Sequence, residues 1–401
     1  DWDAAKESAA MIRANVSAGQ FDDAKLLKLL EEVQASDVAI ELTGFDEAEL
    51  ASLRAEHTPP APDTEPPKLF SVEAIIDAAF AHFRERGFPY RKLARHVCLQ
   101  ELNALAAVEP ASMRNSDLGY HVADTYHPHR FHAAAAGMKS PLEAFNDDKL
   151  LKRAMRLWLE NNGKLPDAYW GTLSIVSGTQ ACSNFRPAFA MMLYRQFCQP
   201  GATVLDTSTG YGGRLVGALA SRVVTKYIGI DPNTLTHAGN TRLAADLSPD
   251  GVSVELHNMP AEDVPLEAVA GRCDFAFTSP PYFSKERYCD EETQSWKRYG
   301  DGEAWRQGFL VPLMRLQFAA LKPGCTAIVN IADVTIKSQT YPLAEWTREA
   351  GQAAGFEYLR TDKFPITRQF GAGLEDDEPA FEPVLVFRKP VTVEAATTTA
   401  L

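Results

Sequence analysis

Two consecutive prolines, Pro280 and Pro281, stand between a serine and a tyrosine in the stretch FTSPPYF, which runs from Phe277 to Phe283. Proline fixes φ and donates no N–H, and it pushes the residue before it toward extended geometry. The backbone at Ser279 and Pro280 is therefore expected to be stiff, with carbonyl oxygens that have no helix or sheet partner. The stretch predicts oxygen acceptors that are held ready for a partner outside the local backbone.

A glycine-rich turn, residues 206–213, follows the β-rich run TVLDTS and is a second candidate site. The dinucleotide fingerprint GxGxxG fails here because Gly210 and Gly212 fit but Leu215 occupies the third glycine position. A phosphate loop also fails, since no GK[ST] follows. An acid before a glycine turn suits a cofactor that lacks phosphate but carries an ammonium and a carboxylate. Asp206 could attract the ammonium, and backbone N–H groups could bind the carboxylate.

Asp231 ends the next β-rich run, KYIGIDP, and is placed to accept the hydroxyl protons of a ribose diol. In an open α/β sheet the ligand lies beyond the carboxyl ends of the strands, so both acids are expected at one site. Together these features describe S-adenosylmethionine. The alternative is that the glycines only form tight turns.

Alternating strand and helix patterns after residue 200 must position these loops. Seven β-rich runs, most of them separated by helical patterns, indicate an α/β fold with a doubly wound, mainly parallel sheet. The last two runs, FEYLRTDKF and PVLVFRK, follow each other without a helix, so one of them is expected to be antiparallel. The patterns predict a helix over EAWRQGFLVPLMRLQFAALKPG, followed by a strand that begins at CTAIV.

The upstream half of the chain is mostly helical in pattern. LLKLLEEVQ and DEAELASLRAEH predict helices within residues 1–56, and HTPPAPDTEPPK, with its five prolines, predicts an extended linker at 57–68. Residues 69–170 form a predicted helical region that could recognise DNA. The sheet belongs to a domain at 171–390, and the tail at 391–401 is expected to be disordered.

Composition and charge exclude several classes of protein. The chain has 401 residues, and no apolar run approaches the ~18 residues of a membrane span. A net charge of −13 argues against non-specific coating of nucleic acid. The six cysteines lack CxxC spacing, which predicts free thiols in a reducing cytoplasm and no structural zinc. No signal peptide opens the sequence, and its first residue is Asp1, so missing upstream material is expected.

The stretch SPPY resembles the [DNS]PP[YFW] motif of S-adenosylmethionine-dependent amino-methyltransferases, which methylate exocyclic amines. VLDTSTGYGG resembles the cofactor motif of that family, and SNFRPAFA, just upstream, its cofactor-side motif. The resemblance covers about residues 171–390 and implies a Rossmann-like methyltransferase sheet. Serine at the first SPPY position is commoner among cytosine N4 than adenine N6 enzymes, so cytosine N4 is expected first and adenine N6 second.

The resemblance also implies roles for individual residues. The Ser279 side chain and the Pro280 carbonyl would accept the two hydrogens of the amine, and Tyr282 would stack on a base flipped out of the duplex. The predicted catalytic residues are Ser279, Pro280, Pro281 and Tyr282. The predicted cofactor-binding residues are Phe185, Asp206, Thr207, Gly210, Gly212, Asp231, Pro232, Asn258 and Met259.

The N-terminal stretch DAKLLKLLEEVQASDVAIELTGFDEAEL is similar to the segment that closes ParB-like domains fused to phage and prophage DNA methyltransferases. A bacterial, phage- or prophage-encoded origin is therefore expected. Two alternatives to a DNA methyltransferase remain open. One is a methyltransferase for RNA or for a protein amide, where asparagine rather than Ser279 would be expected. The other is a non-catalytic DNA-binding module that has kept the fold.

Two basic segments could contact DNA phosphates. One is HFRERGFPYRKLARH, residues 82–96, and the other is the long connection after SPPY, which we expect to be a substrate-side loop that orders on DNA. The predicted DNA-binding residues are Arg91, Lys92, Arg95, Lys285, Arg287, Lys297 and Arg298. The histidines of YHPHRFH are expected to pack against the catalytic domain rather than to bind metal.

Overall fold

The computed structural model describes residues 23–36, 39, 43, 45–57, 71–109, 116–135, 137–162, 182, 184–365 and 381–391. The chain divides into two compact units, Asp1–Ser71 and Val72–Leu401. The linker predicted at 57–68 and the tail predicted at 391–401 fall outside the described residues except for His57 and Val391, so both stay predictions.

The described residues of the first unit contain two helices, α1 (Asp23–Gln34) and α2 (Glu47–His57), as the sequence predicts. Asp46 and Glu49 cap the second helix reciprocally, since each side chain accepts a hydrogen bond from the backbone N–H of the other residue. Apolar side chains bury the contact between the helices: Leu26, Leu30, Val33 and Leu50.

The described residues at the start of the second unit include five α-helices, a 3-10 helix (Pro128–His132) and one short strand. The two longest helices, α3 and α7, are the amphipathic stretches that the sequence predicts. The elements are α3 (Val72–Arg86), α4 (Arg95–Ala106), α5 (Tyr120–Tyr126), β1 (Ala134–Ala135), α6 (Pro141–Asn146) and α7 (Asp148–Asn162). These elements lie in the same compact unit as the sheet, although the sequence separates them at about residue 170.

The rest of the second unit alternates strands with helices. Its elements are α8 (Pro187–Phe197), β2 (Ala202–Asp206), α9 (Gly213–Ser221), β3 (Val224–Ile230), α10 (Thr234–Leu247), β4 (Ser253–His257), α11 (Leu266–Val269), β5 (Cys273–Thr278), β6 (Glu286–Arg287), α12 (Ser295–Arg298), α13 (Gly302–Trp305), a π-helical turn (Arg306–Leu310), α14 (Val311–Ala320), β7 (Leu321–Asn330), β8 (Val334–Ile336), β9 (Gln339–Tyr341), α15 (Leu343–Ala354), β10 (Glu357–Pro365) and β11 (Phe381–Arg388).

Seven strands form the central sheet in the order β10-β11-β7-β5-β2-β3-β4. β2, β3, β4, β5 and β7 are parallel, and β11 is antiparallel to both of its neighbours. Successive strand residues enter different apolar clusters: Val204 packs on one face of the sheet and Leu205 on the other. The predicted doubly wound, mainly parallel sheet of seven strands preceded by helices is confirmed, and so is its antiparallel strand.

The boundary between the long helix and β7 differs from the prediction. The helix ends at Ala320 and the strand starts at Leu321, so LKPG belongs to the strand. Pro323 lacks an N–H, and Gly324 has a φ of +81°, so neither can continue a helix. A π-helical turn, Arg306–Leu310, also interrupts the predicted helix just before Pro312, whose missing N–H breaks the regular hydrogen-bond ladder.

The segment YHPHRFH packs against α10, as predicted. His129 Nε2 lies 3.0 Å from the Thr236 hydroxyl. The His127 ring packs so closely on Gly239 that a Cβ added to this glycine would lie 2.6 Å from the ring. Burial lowers the pKa of His127 to about 4 and that of His129 to about 3. Both rings are therefore neutral packing groups at neutral pH. Within the described ranges, no group of three or more His, Cys, Asp or Glu side chains could hold a metal ion.

Candidate active site at the carboxyl edge of the sheet

The loops that follow β2, β3 and β5 meet at one edge of the sheet. The Gly210 N–H donates to Asp231 Oδ2 at 2.8 Å, which joins the first two loops. The Thr278 hydroxyl donates to Asp206 Oδ1 at 3.1 Å, which joins the end of β5 to the end of β2. The glycine turn, the predicted ribose acid and the SPPY stretch, three features far apart in sequence, are thus neighbours in the fold.

Neighbouring side chains hold the glycine turn in place. Asn184 donates to the Tyr211 carbonyl at 3.0 Å and accepts from the Gly213 N–H at 3.2 Å. Asn240, on α10, donates to the Gly210 carbonyl at 2.9 Å. A Cβ at Gly213 would lie 2.0 Å from the Phe185 carbonyl oxygen, so only glycine permits this approach. The stretch SNFRP therefore acts on the turn through Asn184 and the backbone of Phe185.

Asp206 is fully buried, and donors from the protein occupy both of its oxygens. Arg214 binds it through Nε at 2.7 Å and Nη2 at 3.2 Å. Three further donors are the Tyr227 hydroxyl at 2.7 Å, the Thr278 hydroxyl and the Ser208 N–H at 3.1 Å. A carboxylate has about four lone-pair positions, so these five bonds saturate it. Direct binding of an ammonium to Asp206 would require one of these donors to leave.

Arg214 shares this burial. Burial alone would lower the pKa of the Arg214 guanidinium, but the charge of Asp206 holds this pKa above its ordinary value. The guanidinium also donates to the Ser208 carbonyl and lies 5.6 Å from the centre of the Phe185 ring. The ion pair thus connects the end of β2 to the first turn of α9. No motif in the sequence indicated this partner of Asp206.

Asp231 has a different environment. Among the described residues, its two oxygens accept only backbone N–H groups, from Gly210 at 2.8 Å and from Asn233 at 3.0 Å, so each oxygen keeps a lone pair that no described residue uses. Burial raises the pKa of Asp231 to about 6, against the effect of these two N–H groups, which favour the charged form. The side chain is partly exposed. A carboxylate of this kind can accept hydrogen bonds from two hydroxyl groups of a ligand.

The other predicted cofactor residues line the same edge. The Asn258 side chain is exposed and donates to the carbonyls of Asp231 and Pro232, both at 3.1 Å. Met259 is half-buried against the apolar cluster beneath it. The buried Thr207 hydroxyl accepts from Gln317 Nε2 at 3.2 Å. The fold therefore brings these residues together with Asp231 and the glycine turn.

Phe185 lies among aromatic rings rather than in solvent. Its ring is stacked on Phe364 with centres 5.4 Å apart and meets Phe277 edge-on at 5.2 Å. Phe277 belongs to β5, two residues before Ser279, so Phe185 lies under the SPPY stretch as well as beside the glycine turn. A contact with the cofactor stays a prediction.

The SPPY stretch leaves β5 at Thr278 and forms a fixed kink. The Phe283 N–H donates to the Pro281 carbonyl at 3.0 Å, and Phe283 has a φ of 54°, a strained value for an aromatic residue. The buried Phe283 ring packs against Trp305 and Tyr341 and holds the far end of the kink. Among the described residues, no donor reaches the Pro280 carbonyl. Pro280 is itself buried, so the role of this oxygen in binding an amine stays a prediction.

Tyr282 has neighbours that the sequence did not identify. Glu382, at the start of β11, is one of the charged groups that act on its phenol. Burial, together with the charges of Glu382 and Glu286, holds the pKa of the Tyr282 phenol well above its ordinary value. Glu382 lies about a hundred residues further along the chain, so only the antiparallel course of β11 reveals this charged neighbour.

The connection after SPPY, residues 284–300, is folded and spans the carboxyl edge. Glu286 and Arg287 pair with Ala135 and Ala134 of β1, and both Glu291 carboxylate oxygens accept from the Thr234 N–H at 3.2 Å. These protein contacts hold the connection, and its predicted ordering on DNA stays a prediction. Its position beside Pro232 and Thr234 places it next to the end of β3.

The predicted DNA-binding residues fall into two groups. Arg91 and Lys92 are exposed, and so is Arg95, whose guanidinium donates to the Asp246 carbonyl at 3.0 Å. Within the connection, however, basic side chains contact neighbouring groups. The contacts are Lys297 with Glu292 at 2.9 Å, Arg298 with Asp263 at 2.8 Å, Arg287 over the Trp296 ring at 4.8 Å, and Lys285 near Glu286 and Glu382.

The cysteines agree with the sequence prediction. All six are free thiols, and Cys273 is buried within β5. In the part of the chain that is described, no helix is long and apolar enough to cross a membrane.

No protein-family model and no curated protein matches this chain. Three of the solved structures that resemble it are each less than 20% identical to it. A methyltransferase from Pyrococcus furiosus is 17% identical with a TM-score of 0.35, over 51% of this chain and 83% of its own. TrmN from Thermus thermophilus is 19% identical with a TM-score of 0.35, over 51% and 48%.

A third solved structure is the 1,6-didemethyltoxoflavin-N1-methyltransferase of Burkholderia thailandensis, bound to 1,6-didemethyltoxoflavin and S-adenosylhomocysteine. It is 16% identical with a TM-score of 0.32, over 50% of this chain and 76% of its own. At TM-scores this low the likenesses carry no weight for function. A function for this chain must therefore be inferred from the strand order and from the contacts at the carboxyl edge.

Proposed function

We propose that this chain is a DNA methyltransferase that moves a methyl group from S-adenosylmethionine to an exocyclic amine, cytosine N4 first and adenine N6 second. One observation carries this proposal. The SPPY kink leaves β5 through Thr278, whose hydroxyl binds Asp206 at the base of the glycine turn, and the same turn binds Asp231. These contacts would make the proposed amine site and the proposed cofactor site neighbours.

The residues at this edge fit S-adenosylmethionine. Asp231 keeps two free lone pairs for the ribose hydroxyls. Gly210 has open space on its Cα, where an added Cβ would meet only the Ser208 carbonyl at 3.8 Å, so a ligand can approach the backbone closely. Asn258 and Met259 continue the same edge and would border the adenine. Asp206 would act indirectly, by fixing the turn, since its oxygens are already bound.

The chemistry required of the protein is modest. The bound cofactor supplies a methyl group on a positively charged sulfur. The amine is a weak nucleophile because its lone pair is delocalised into the ring. The Ser279 oxygen and the Pro280 carbonyl would accept its two hydrogens, which lets the nitrogen pyramidalise and attack in line. Because the prolines and the Phe283 anchor hold these oxygens in place beforehand, little reorganisation is needed.

A base inside a duplex cannot reach this kink, so the target would have to be flipped out and held against Tyr282. The exposed basic residues Arg91, Lys92 and Arg95 would contact phosphates beside it. The helices of the first unit, similar in sequence to the end of ParB-like domains, would assist in recognising the target.

The test uses S-adenosylmethionine with an isotopically labelled methyl group. The protein is incubated separately with plasmid DNA and with single-stranded DNA, each is digested to nucleosides, and the labelled species are identified by mass spectrometry. Labelled N4-methylcytosine is expected, and labelled N6-methyladenine would assign the second base. Transfer only to RNA or to a protein amide would overturn the DNA substrate.

Calorimetry separates the enzyme from a non-catalytic module on the same fold. The proposal predicts saturable binding of S-adenosylmethionine and of S-adenosylhomocysteine. If neither binds, the chain is not a methyltransferase, whatever its affinity for DNA.

A further inference from the structure

The connection after SPPY, residues 284–300, runs between two fixed ends. At its near end the Phe283 ring is buried against Trp305 and Tyr341, and β6 pairs with β1. At its far end the chain enters α13, which closes on the fully buried Trp305. Packed aromatic rings and strand pairing hold both ends, whereas two groups of polar side-chain contacts hold the part between them.

The first group of contacts lies at the end of β3, beside the predicted ribose acid. Both Glu291 carboxylate oxygens accept from the Thr234 N–H at 3.2 Å. The Thr293 hydroxyl donates to the Pro232 carbonyl at 3.4 Å. The same carbonyl accepts from Asn258 Nδ2, in the loop that follows β4. The connection and the loops that follow β3 and β4 therefore meet at one carbonyl oxygen.

The second group of contacts lies on the loop that follows β4. The Arg298 guanidinium donates to both Asp263 oxygens, at 2.8 and 2.9 Å, and its Nη1 lies 3.0 Å from Glu262 Oε1. The Tyr299 hydroxyl lies 3.0 Å from the same Glu262 oxygen. Both carboxylates belong to the 3-10 helix Ala261–Asp263, which closely follows the residues predicted to border the adenine. Arg298 therefore binds the loop that carries the predicted adenine site.

Two buried amide groups at the first group of contacts have no hydrogen-bond partner among the described residues. They are Asn233 Nδ2, in a residue that is 3% exposed, and Gln294 Nε2, in a residue that is 5% exposed. Asn233 lies between Pro232 and Thr234, and Gln294 directly follows Thr293. Buried donors are normally satisfied, so unpartnered ones point to a group that binds there. The ring nitrogens and hydroxyls of adenosine are acceptors that such amides can bind.

We propose that the connection covers the adenosine part of the cofactor, and that release of Arg298 from Glu262 and Asp263 admits and frees the cofactor. Because both ends of the connection are held, its middle can lift only when the side-chain contacts break. Arg298 makes the strongest of these contacts, a bidentate bond to an exposed carboxylate and an ion pair with a buried one. Arg298 is a positioning residue, because it acts on the cofactor through the loop after β4, and its role rests on the proposed function.

The main test is stopped-flow binding of S-adenosylhomocysteine in the absence of DNA, followed by tryptophan fluorescence, in wild type, Arg298→Ala and Lys297→Ala. In Arg298→Ala the association rate and the dissociation rate should each rise about 5- to 10-fold, because the cover opens more often. Lys297 gives the matched control, since it pairs with Glu292 inside the connection at 2.9 Å. Lys297→Ala should leave both rates close to those of wild type.

A second variant tests the same ion pair from its other partner. Asp263→Ala should raise both rates as Arg298→Ala does, and the double variant should add little to either single change, because both remove one contact. A rise in salt concentration should speed dissociation in wild type, since it screens an exposed ion pair. S-adenosylhomocysteine carries no net charge, so this salt effect should be much smaller in Arg298→Ala.

Unchanged rates in both Arg298→Ala and Asp263→Ala would overturn the proposed cover. Faster dissociation with unchanged or slower association would overturn it too, because that pattern indicates a damaged site or a lost ligand contact rather than an opened cover. If S-adenosylhomocysteine does not bind wild type, the proposed function and the cover fail together. If it binds and DNA is methylated while both variants keep the rates of wild type, the cover alone fails.

Discussion

The ends of β2 and β3 each carry an aspartate, but the two side chains have opposite environments. Five protein donors bind Asp206, which is fully buried, whereas only two backbone N–H groups bind Asp231. From the sequence both acids were expected to bind the cofactor. An acid at a strand end can therefore bind a ligand only if the fold leaves some of its lone pairs unused.

The loops that follow β2 and β3 therefore have different roles. The end of β2 is a rigid base, held by an ion pair, two hydroxyls and the amides around the turn. The end of β3 is the part with remaining capacity for hydrogen bonds. Variants at the two aspartates should therefore fail in different ways, one in stability and the other in binding.

The largest effect is expected for Asp206→Ala. This change leaves the buried Arg214 guanidinium without its partner, which costs about 3–5 kcal/mol of unfolding free energy. Urea unfolding of the second unit measures it. Tyr227→Phe, which removes a single hydrogen bond to the same carboxylate, should cost only about 1 kcal/mol. Unchanged stability with lost cofactor affinity would instead make Asp206 a ligand-binding acid.

A smaller effect, on binding alone, is expected for Asp231→Asn. An amide has one oxygen in place of two and no charge, so affinity for S-adenosylmethionine should fall about 10- to 10²-fold. Calorimetry measures the affinity, and urea unfolding should give a stability close to that of wild type. An affinity equal to that of wild type would remove Asp231 from the cofactor site.

Cofactor affinity should also depend on pH through Asp231, whose pKa burial raises to about 6. Ribose hydroxyls donate to the ionised carboxylate. Cofactor affinity should therefore be highest above this pH and should fall as the pH drops below it. The expected loss approaches tenfold per pH unit in wild type. Asp231→Asn has no proton to gain and should show a flat profile over the same range. A sloping profile in that variant would assign the dependence to another group.

The smallest effects are expected for the basic residues. Arg91 and Lys92 are exposed, whereas Lys297 and Arg298 already pair with carboxylates. Arg91→Ala and Lys92→Ala should each reduce the salt dependence of DNA binding by about one released counterion. Lys297→Ala and Arg298→Ala should change it less. The reverse order would make the connection at 284–300 the main phosphate contact.

Much of the fold was predictable because its signals are local. The sheet runs are short, β-rich and separated by helical patterns, and the absence of a helix before PVLVFRK was sufficient to predict an antiparallel strand. The helix and strand boundary at Leu321 was not predicted correctly, since the apolar pattern continues through it and only Pro323 and Gly324 mark the change.

The site was predictable in part. Gly210, Asp231 and the SPPY kink carry their chemistry in adjacent residues, so their types and spacing were informative. The ion pair of Asp206 with Arg214 and the charge of Glu382 near Tyr282 depend on how the chain folds back on itself. That information lies in the packing of the whole sheet and not in any short stretch.

The role of Ser279 is tested by the effect of Ser279→Ala on turnover and on cofactor affinity, both measured in the same preparation. Ser284→Ala, two residues past the motif, is the matched control. Turnover should fall about 10²- to 10³-fold while the Kd for S-adenosylmethionine stays within about twofold of wild type, because Ser279 would hold the amine and not the cofactor. Equal losses of turnover and cofactor affinity, or full turnover without the Ser279 hydroxyl, would contradict the account.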